Sequence, residues 1–151
     1  DTKTFKAISE FKPLEYRLEY VGEVNKIRYY VDTLATIPAA TKESIEALEN
    51  VNTLIFGGMD RGISYEGFSE YLENTNIENF ICMPTTGYTI GKRINNSKTY
   101  FVETLEDAVS LAKKITKEGT ICLLSPAAAS YEQFKNYAEK GDKFKEYVLK
   151  N

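Results

Sequence analysis

The sequence contains no histidine. Its absence excludes a serine–histidine–aspartate or cysteine–histidine nucleophile pair within the chain, and the usual histidine-based zinc sites with it. Cysteine is scarce: Cys82 and Cys122 each lie in an apolar stretch, which suits buried thiols in a reducing compartment better than a disulfide framework. The cytoplasm is the expected location. Net charge is small, −3 from 19 basic and 22 acidic residues that are interspersed, so there is no footprint for a nucleic-acid backbone or an anionic membrane. Long apolar runs are missing too. No stretch approaches the roughly 20 residues of a membrane span, and the start is not a basic-then-apolar leader. There is no internal repeat, linker-like run or low-complexity tract.

What remains is the composition of an ordinary folded domain. With 151 residues, 42% hydrophobic and 27% charged, the chain is long enough to bury its own core, and a single domain over 1–151 is expected. The opening Asp1-Thr2-Lys3-Thr4-Phe5 lacks a methionine, which gives the expectation of a start inside a larger polypeptide. Thr4 to Phe11 reads as a short amphipathic helix.

Tyr16 to Glu23 and Ile27 to Val31, rich in Tyr, Val and Ile with charges interleaved, predict a hairpin. After Pro38, apolar and small residues at spacings of three and four predict a helix to Asn50. Short apolar runs at Asn52 to Phe56, Asn79 to Met83, Thr99 to Val102 and Thr120 to Leu124 predict strands. Helical spacing marks Tyr65 to Leu72, more weakly Thr89 to Asn95, and Leu105 to Ile115, which Thr104 and Asp107 open as a capping box. Two terminal helices, Tyr131 to Lys140 and Asp142 to Lys150, are expected either side of Gly141, with a solvated Lys/Glu face. Strands alternating with helices predict an α/β fold, Rossmann-like and three-layered, with a mostly parallel sheet and the hairpin as an antiparallel edge.

In such sheets ligands bind beyond the carboxyl ends of the strands. Those ends read Asp32-Thr33-Leu34-Ala35-Thr36, Gly57-Gly58-Met59-Asp60-Arg61-Gly62, Pro84-Thr85-Thr86-Gly87 and Ser125-Pro126-Ala127-Ala128-Ala129-Ser130. All are small, polar or glycine-rich, suited to close backbone approach. Arg61, alone in a glycine turn, is placed to grip an anion bidentately. Taken singly, each has a plain alternative: Gly57-Gly58 as a tight turn, Thr36 as a helix N-cap, Ser125-Pro126 as punctuation, Arg61 as a solvated arginine. Gly87-Tyr88-Thr89-Ile90-Gly91-Lys92-Arg93 is one residue short of a phosphate loop and lacks the Ser/Thr after its lysine, and Gly57 to Gly62 misses the dinucleotide glycine spacing. The Tyr16/Tyr20 and Tyr29/Tyr30 pairs read as hairpin tyrosines rather than a base-stacking platform.

Phe11-Lys12-Pro13-Leu14-Glu15-Tyr16-Arg17, Tyr30 to Pro38, Phe56-Gly57-Gly58 and Leu124 to Tyr137 followed by Glu139-Lys140-Gly141 together resemble the carboxy-terminal domain of the Mur ligases, in the branch that adds glutamate. The resemblance implies an ATP- and Mg2+-dependent ligase of peptidoglycan precursor synthesis, cytoplasmic and expected to be a monomer. It would join glutamate to UDP-N-acetylmuramoyl-L-alanine through an acyl phosphate. It also implies amino-terminal UDP-binding and central ATP-binding domains outside this chain, so that this domain alone binds no cofactor and is inactive. Carried over by motif, Thr36, Arg61, Ser130, Tyr131 and Tyr137 would hold the glutamate, and Arg17 and Asp32 would face the nucleotide. Arg61 stands where the family often has lysine, and Tyr137 where phenylalanine is common. Leu34 and Ile37 replace a family lysine and asparagine. An apolar residue at the lysine position is similar to a branch that adds L-glutamate, so D- and L-glutamate both stay open. A non-catalytic anion-binding domain and a purely structural one remain as alternatives.

Overall fold

The computed structural model describes residues 15–95, 98–130 and 133–150. The expected helix from Thr4 to Phe11 lies outside them, as does Tyr131. Three runs, β3 (Val51–Phe56), β4 (Asn79–Cys82) and β6 (Ile121–Leu124), are buried at every position, the mark of strands covered on both faces. They form the middle of a six-stranded sheet ordered β1-β2-β6-β3-β4-β5, with β1 (Glu19–Val24), β2 (Ile27–Val31) and β5 (Thr99–Phe101) outside them. All pairings are parallel except the β1/β2 hairpin. Its turn residues Asn25 and Lys26 both take positive φ, 51° and 67°, as a two-residue turn matched to strand twist requires.

Side chains alternate across the sheet, apart from register shifts at Val51/Thr53 and Tyr20/Gly22. Ile55, Ile81, Cys122 and Leu124 join Tyr29 and Val31 on one face, covered by α4 (Leu105–Ile115) and α5 (Tyr137–Leu149). Leu54, Phe56, Phe80 and Leu123 face the other way, covered by α1 (Pro38–Ala47), α2 (Phe68–Glu73) and α3 (Thr86–Gly91). The predicted three-layer α/β arrangement is what results. Tyr29 is fully buried with its ring 6.5 Å from Phe144, while Tyr30 stacks obliquely on Tyr20 at 5.4 Å. Among the described residues no helix is long and apolar enough to cross a membrane.

Two helical expectations need correction. The helix expected over Thr89 to Asn95 begins earlier, at Thr86. The two terminal helices do not split at Gly141: α5 runs through it from an Asn136 cap whose side chain accepts from the Glu139 N–H at 2.9 Å. Gly141 is there for proximity, since a Cβ would fall on the Tyr16 ring and 3.1 Å from Thr33 Oγ1. On the exposed face Lys143 pairs with Glu146 at 3.3 Å.

Candidate functional site

The loops at the carboxyl ends of β2, β6, β3 and β4 are sewn into one rim by their own backbones. The Ala127 N–H donates to Ala35 O at 2.9 Å, the Gly57 N–H to Pro126 O at 2.9 Å and the Met59 N–H to Ala129 O at 2.9 Å. Thr85 and Thr86 N–H groups donate to Gly58 O at 2.9 and 3.1 Å, and the Gly58 N–H donates to Thr86 Oγ1 at 3.0 Å. Ala127 sits at φ 56°, a left-handed conformation costly for a residue with a Cβ. It is held there from both sides, because its carbonyl also accepts from the Tyr65 hydroxyl at 2.7 Å. Four turns that look separable in sequence are one structure.

Arg61 and Thr36 come together on this rim: Arg61 Nη2 donates to the Thr36 carbonyl at 3.1 Å, on an otherwise exposed side chain. The residue at the α1 N-cap is Ile37, with no side-chain cap, so Thr36 is not a helix cap. Ser130 is 5% exposed and its Oγ has no hydrogen-bond partner. A buried hydroxyl left unpaired costs about 1–3 kcal/mol, and Thr33 Oγ1 and the Tyr29 hydroxyl are unpaired in the same way among the described residues. Tyr137, the first residue of α5, remains 41% exposed and packs edge-on against Tyr16 at 5.7 Å. Tyr16 in turn accepts the Leu34 N–H at its carbonyl and donates from its hydroxyl to Asp142 Oδ1 at 2.7 Å. Tyr137 thereby borders the β2 loop.

Arg17 and Asp32 line a separate cleft of about 550 Å³ with Leu18, Leu34, Glu43 and Ser44, within the range of small-ligand sites. Arg17 is exposed, whereas Asp32 is 1% exposed and forms the back wall. Its two oxygens accept from the Leu18 N–H at 2.9 Å and from Ser125 Oγ at 2.7 Å. Burial pushes the Asp32 carboxyl up, against the lowering effect of Ser44, Ser125, the Leu18 N–H and the charge of Arg17. Asp32 therefore braces the β2 and β6 loops, and only its remaining lone pairs are open to a ligand hydroxyl. Among the described residues no group of three acidic or thiol side chains is placed to hold a metal.

Lys140 was missed. Expected to end the Tyr131–Lys140 helix, one of the two with a solvated Lys/Glu face, it is 2% exposed, and its Nζ donates to Gly57 O at 3.1 Å. The signal was spacing: Lys140, Phe144 and Val148 stand four apart and all are buried in α5. Burial pulls the Lys140 ammonium from 10.5 down to about 8. Because the unfolded chain holds that proton more tightly, the cost of burying the charge is complete below about pH 8 and disappears as pH rises toward 10.5. It is on the order of 3 kcal/mol, offset by about 1 kcal/mol for the bond to Gly57 O. Lys140→Met is therefore expected to be more stable than the native chain in urea melts at pH 7, with the advantage shrinking between pH 8 and 10.5. Comparison with the native chain cancels the ionisation of Cys82, Cys122 and Tyr29. An advantage that did not change with pH would remove charge burial as its cause.

The profile described as "Mur ligase, glutamate ligase domain" matches residues 16–128. A UDP-N-acetylmuramoylalanine--D-glutamate ligase of Koribacter versatilis is 37% identical over 152 residues, covering 96% of this chain and 32% of the relative. The enzyme of that name from Caldicellulosiruptor saccharolyticus is 36% identical over 146 residues, covering 95% and 32%. The chain thus spans about a third of the length of the curated relatives it matches. Among solved structures, the MurF ligase of Thermotoga maritima in complex with ADP shares the fold at TM-score 0.62 and 16% identity, over 97% of this chain and 35% of that one. A bifunctional folylpolyglutamate synthase/dihydrofolate synthase from Yersinia pestis does so at 0.65 and 13%, over 90% and 32%. A glutamate ligase domain matched over most of the described sheet, carried by relatives at this identity, makes the conclusion direct: the chain belongs to the Mur ligase family.

Proposed function

We propose that this chain is the glutamate-binding domain of a cytoplasmic, ATP-dependent ligase that joins D-glutamate to UDP-N-acetylmuramoyl-L-alanine. The observation that carries the reading is the sewn rim, which gathers a cation at Arg61, the Thr36 backbone beside it and an unpartnered hydroxyl at Ser130. An amino acid with two carboxylates needs that combination: a guanidinium for one, a hydroxyl donor for the other, and a rigid frame that points its amine outward. Tyr137 and, by the family motif, Tyr131 help hold the glutamate in this reading. The D-configuration follows the names of the relatives.

ATP, when bound, supplies the phosphoryl group that turns the muramoyl-alanine carboxylate into an acyl phosphate. This chain's part is to hold the attacking amine. The Arg17 cleft has the size for one side of a nucleotide, with an apolar lining that carries Arg17 as its cation and Asp32 and Glu43 as its carboxylates. Leu34 brings no charge to it, so stabilisation of the transferring phosphate falls to the UDP- and ATP-binding domains of the full-length polypeptide, as does Mg2+. The protein acts as a monomer in this reading.

The test is to supply the full-length polypeptide with UDP-N-acetylmuramoyl-L-alanine, ATP and either D- or L-glutamate, and to measure phosphate release with formation of the amide. We expect turnover with D-glutamate. Turnover with L-glutamate alone would move the protein to the L-adding branch, and dependence on neither would end the ligase reading.

A further inference from the structure

We propose that Lys140 is a positioning residue for Ser130: from beneath the rim it fixes the Gly57-Gly58 turn and places a positive charge behind the hydroxyl that meets the substrate carboxylate. The inference rests on the glutamate-binding reading above.

Lys140 and Ser130 line one small cavity, closed by Gly58, Met59, Met83 and Phe134. Its volume, about 10 Å³, leaves room for roughly one water, so no carboxylate enters. The cavity is a socket behind the rim. Within it, Lys140 Nζ spends one of its three N–H groups on Gly57 O and lies 6.0 Å over the Phe134 ring. Among the described residues no carboxylate lies within ion-pair distance of it. Ser130 lines the same socket, and its Oγ is likewise without a partner among the described residues.

A purely structural tie to Gly57 O needs neither a charge nor an adjacent empty hydroxyl. The Gly57 turn is already held by its N–H on Pro126 O at 2.9 Å. A buried cation and the free hydroxyl of a residue lining the same socket are both served by one event, the arrival of an anion on the outer side of Ser130. In a water-poor setting the charge acts through the short intervening layer far more strongly than it would in solvent. The backbone link from Phe134 N–H to Ser130 O at 3.2 Å ties the loop's geometry to the approach of α5.

The experiment uses the full-length ligase with Lys140→Met and Lys140→Arg. The methionine variant is expected to raise the KM for glutamate roughly tenfold, with kcat and the KM for ATP nearly unchanged, and the arginine variant, which keeps the charge, to restore most of the loss. A folding tie alone would move kcat and KM together, or neither, and would not need the charge back. Native KM in Lys140→Met overturns the inference while leaving glutamate binding intact. Absence of any glutamate-dependent turnover in the unsubstituted enzyme overturns both. If Lys140→Met does not fold, Lys140→Gln carries the same test.

Discussion

Gly57→Ala is expected to lower the stability of this domain by about 4 kcal/mol, a drop of roughly 10 °C in melting midpoint for a domain of this size. Gly57 takes φ 113°, outside the range an L side chain adopts readily. A Cβ there would land on the Met83 carbonyl oxygen and 2.8 Å from Gly87 Cα. Both are backbone atoms and cannot turn away. Relief would require β3 to separate from the start of α3, breaking the Thr85 and Thr86 bonds to Gly58 O. Thermal melts of the two chains decide it. A midpoint within 2–3 °C of native, worth only about 1 kcal/mol, would show that the rim is far softer than its hydrogen bonds imply.

Arg61→Ala in the full-length ligase is expected to raise the KM for glutamate about 10- to 150-fold, the effect of losing a charged hydrogen-bonding partner worth about 1.5–3 kcal/mol. Stability should hardly move. Arg61 is exposed, and its side-chain hydrogen bond among the described residues goes to the Thr36 carbonyl, a group that water can satisfy in its place. Arg61→Lys keeps the charge and loses the fork, so it should fall between the two. Steady-state kinetics at varied glutamate give the answer. An Arg61→Ala enzyme with native KM would remove Arg61 from the site and return it to the exposed surface.

Much of this was legible because strand and helix periods differ. β3, β4 and β6 announced themselves as short apolar runs, and the buried stripe of α4 follows from Leu105, Ala108, Val109 and Ala112. Residues whose chemistry and location disagree were not legible. Gly141 has the composition of a helix stop, yet the ring of Tyr16, distant in sequence, selects glycine there. Lys140 has the composition of a surface, and only its register with Phe144 and Val148 betrays it. Thr36 looks like a cap until the structure gives that place to Ile37. Within the site, the strand-end residues could be named one loop at a time. Their joining into a rim depends on backbone bonds between segments up to 92 residues apart, as the Ala127 N–H on Ala35 O shows, and side-chain identity does not encode such bonds.

The strand order carries a consequence for how the domain comes into being. β6 lies between β2 and β3, yet in chain order it is the last strand. Until Ile121–Leu124 has left the ribosome, β2 and β3 face each other across an empty lane, each with an unsatisfied hydrogen-bonding edge. The nascent chain must wait in that unfinished condition while four helices and five strands are already made. When β6 arrives it closes the sheet and, in its next six residues, delivers Ser125 to Asp32 and Ala127 to Ala35. Closure of the sheet and assembly of the rim are the same late event, so a product truncated before β6 has neither.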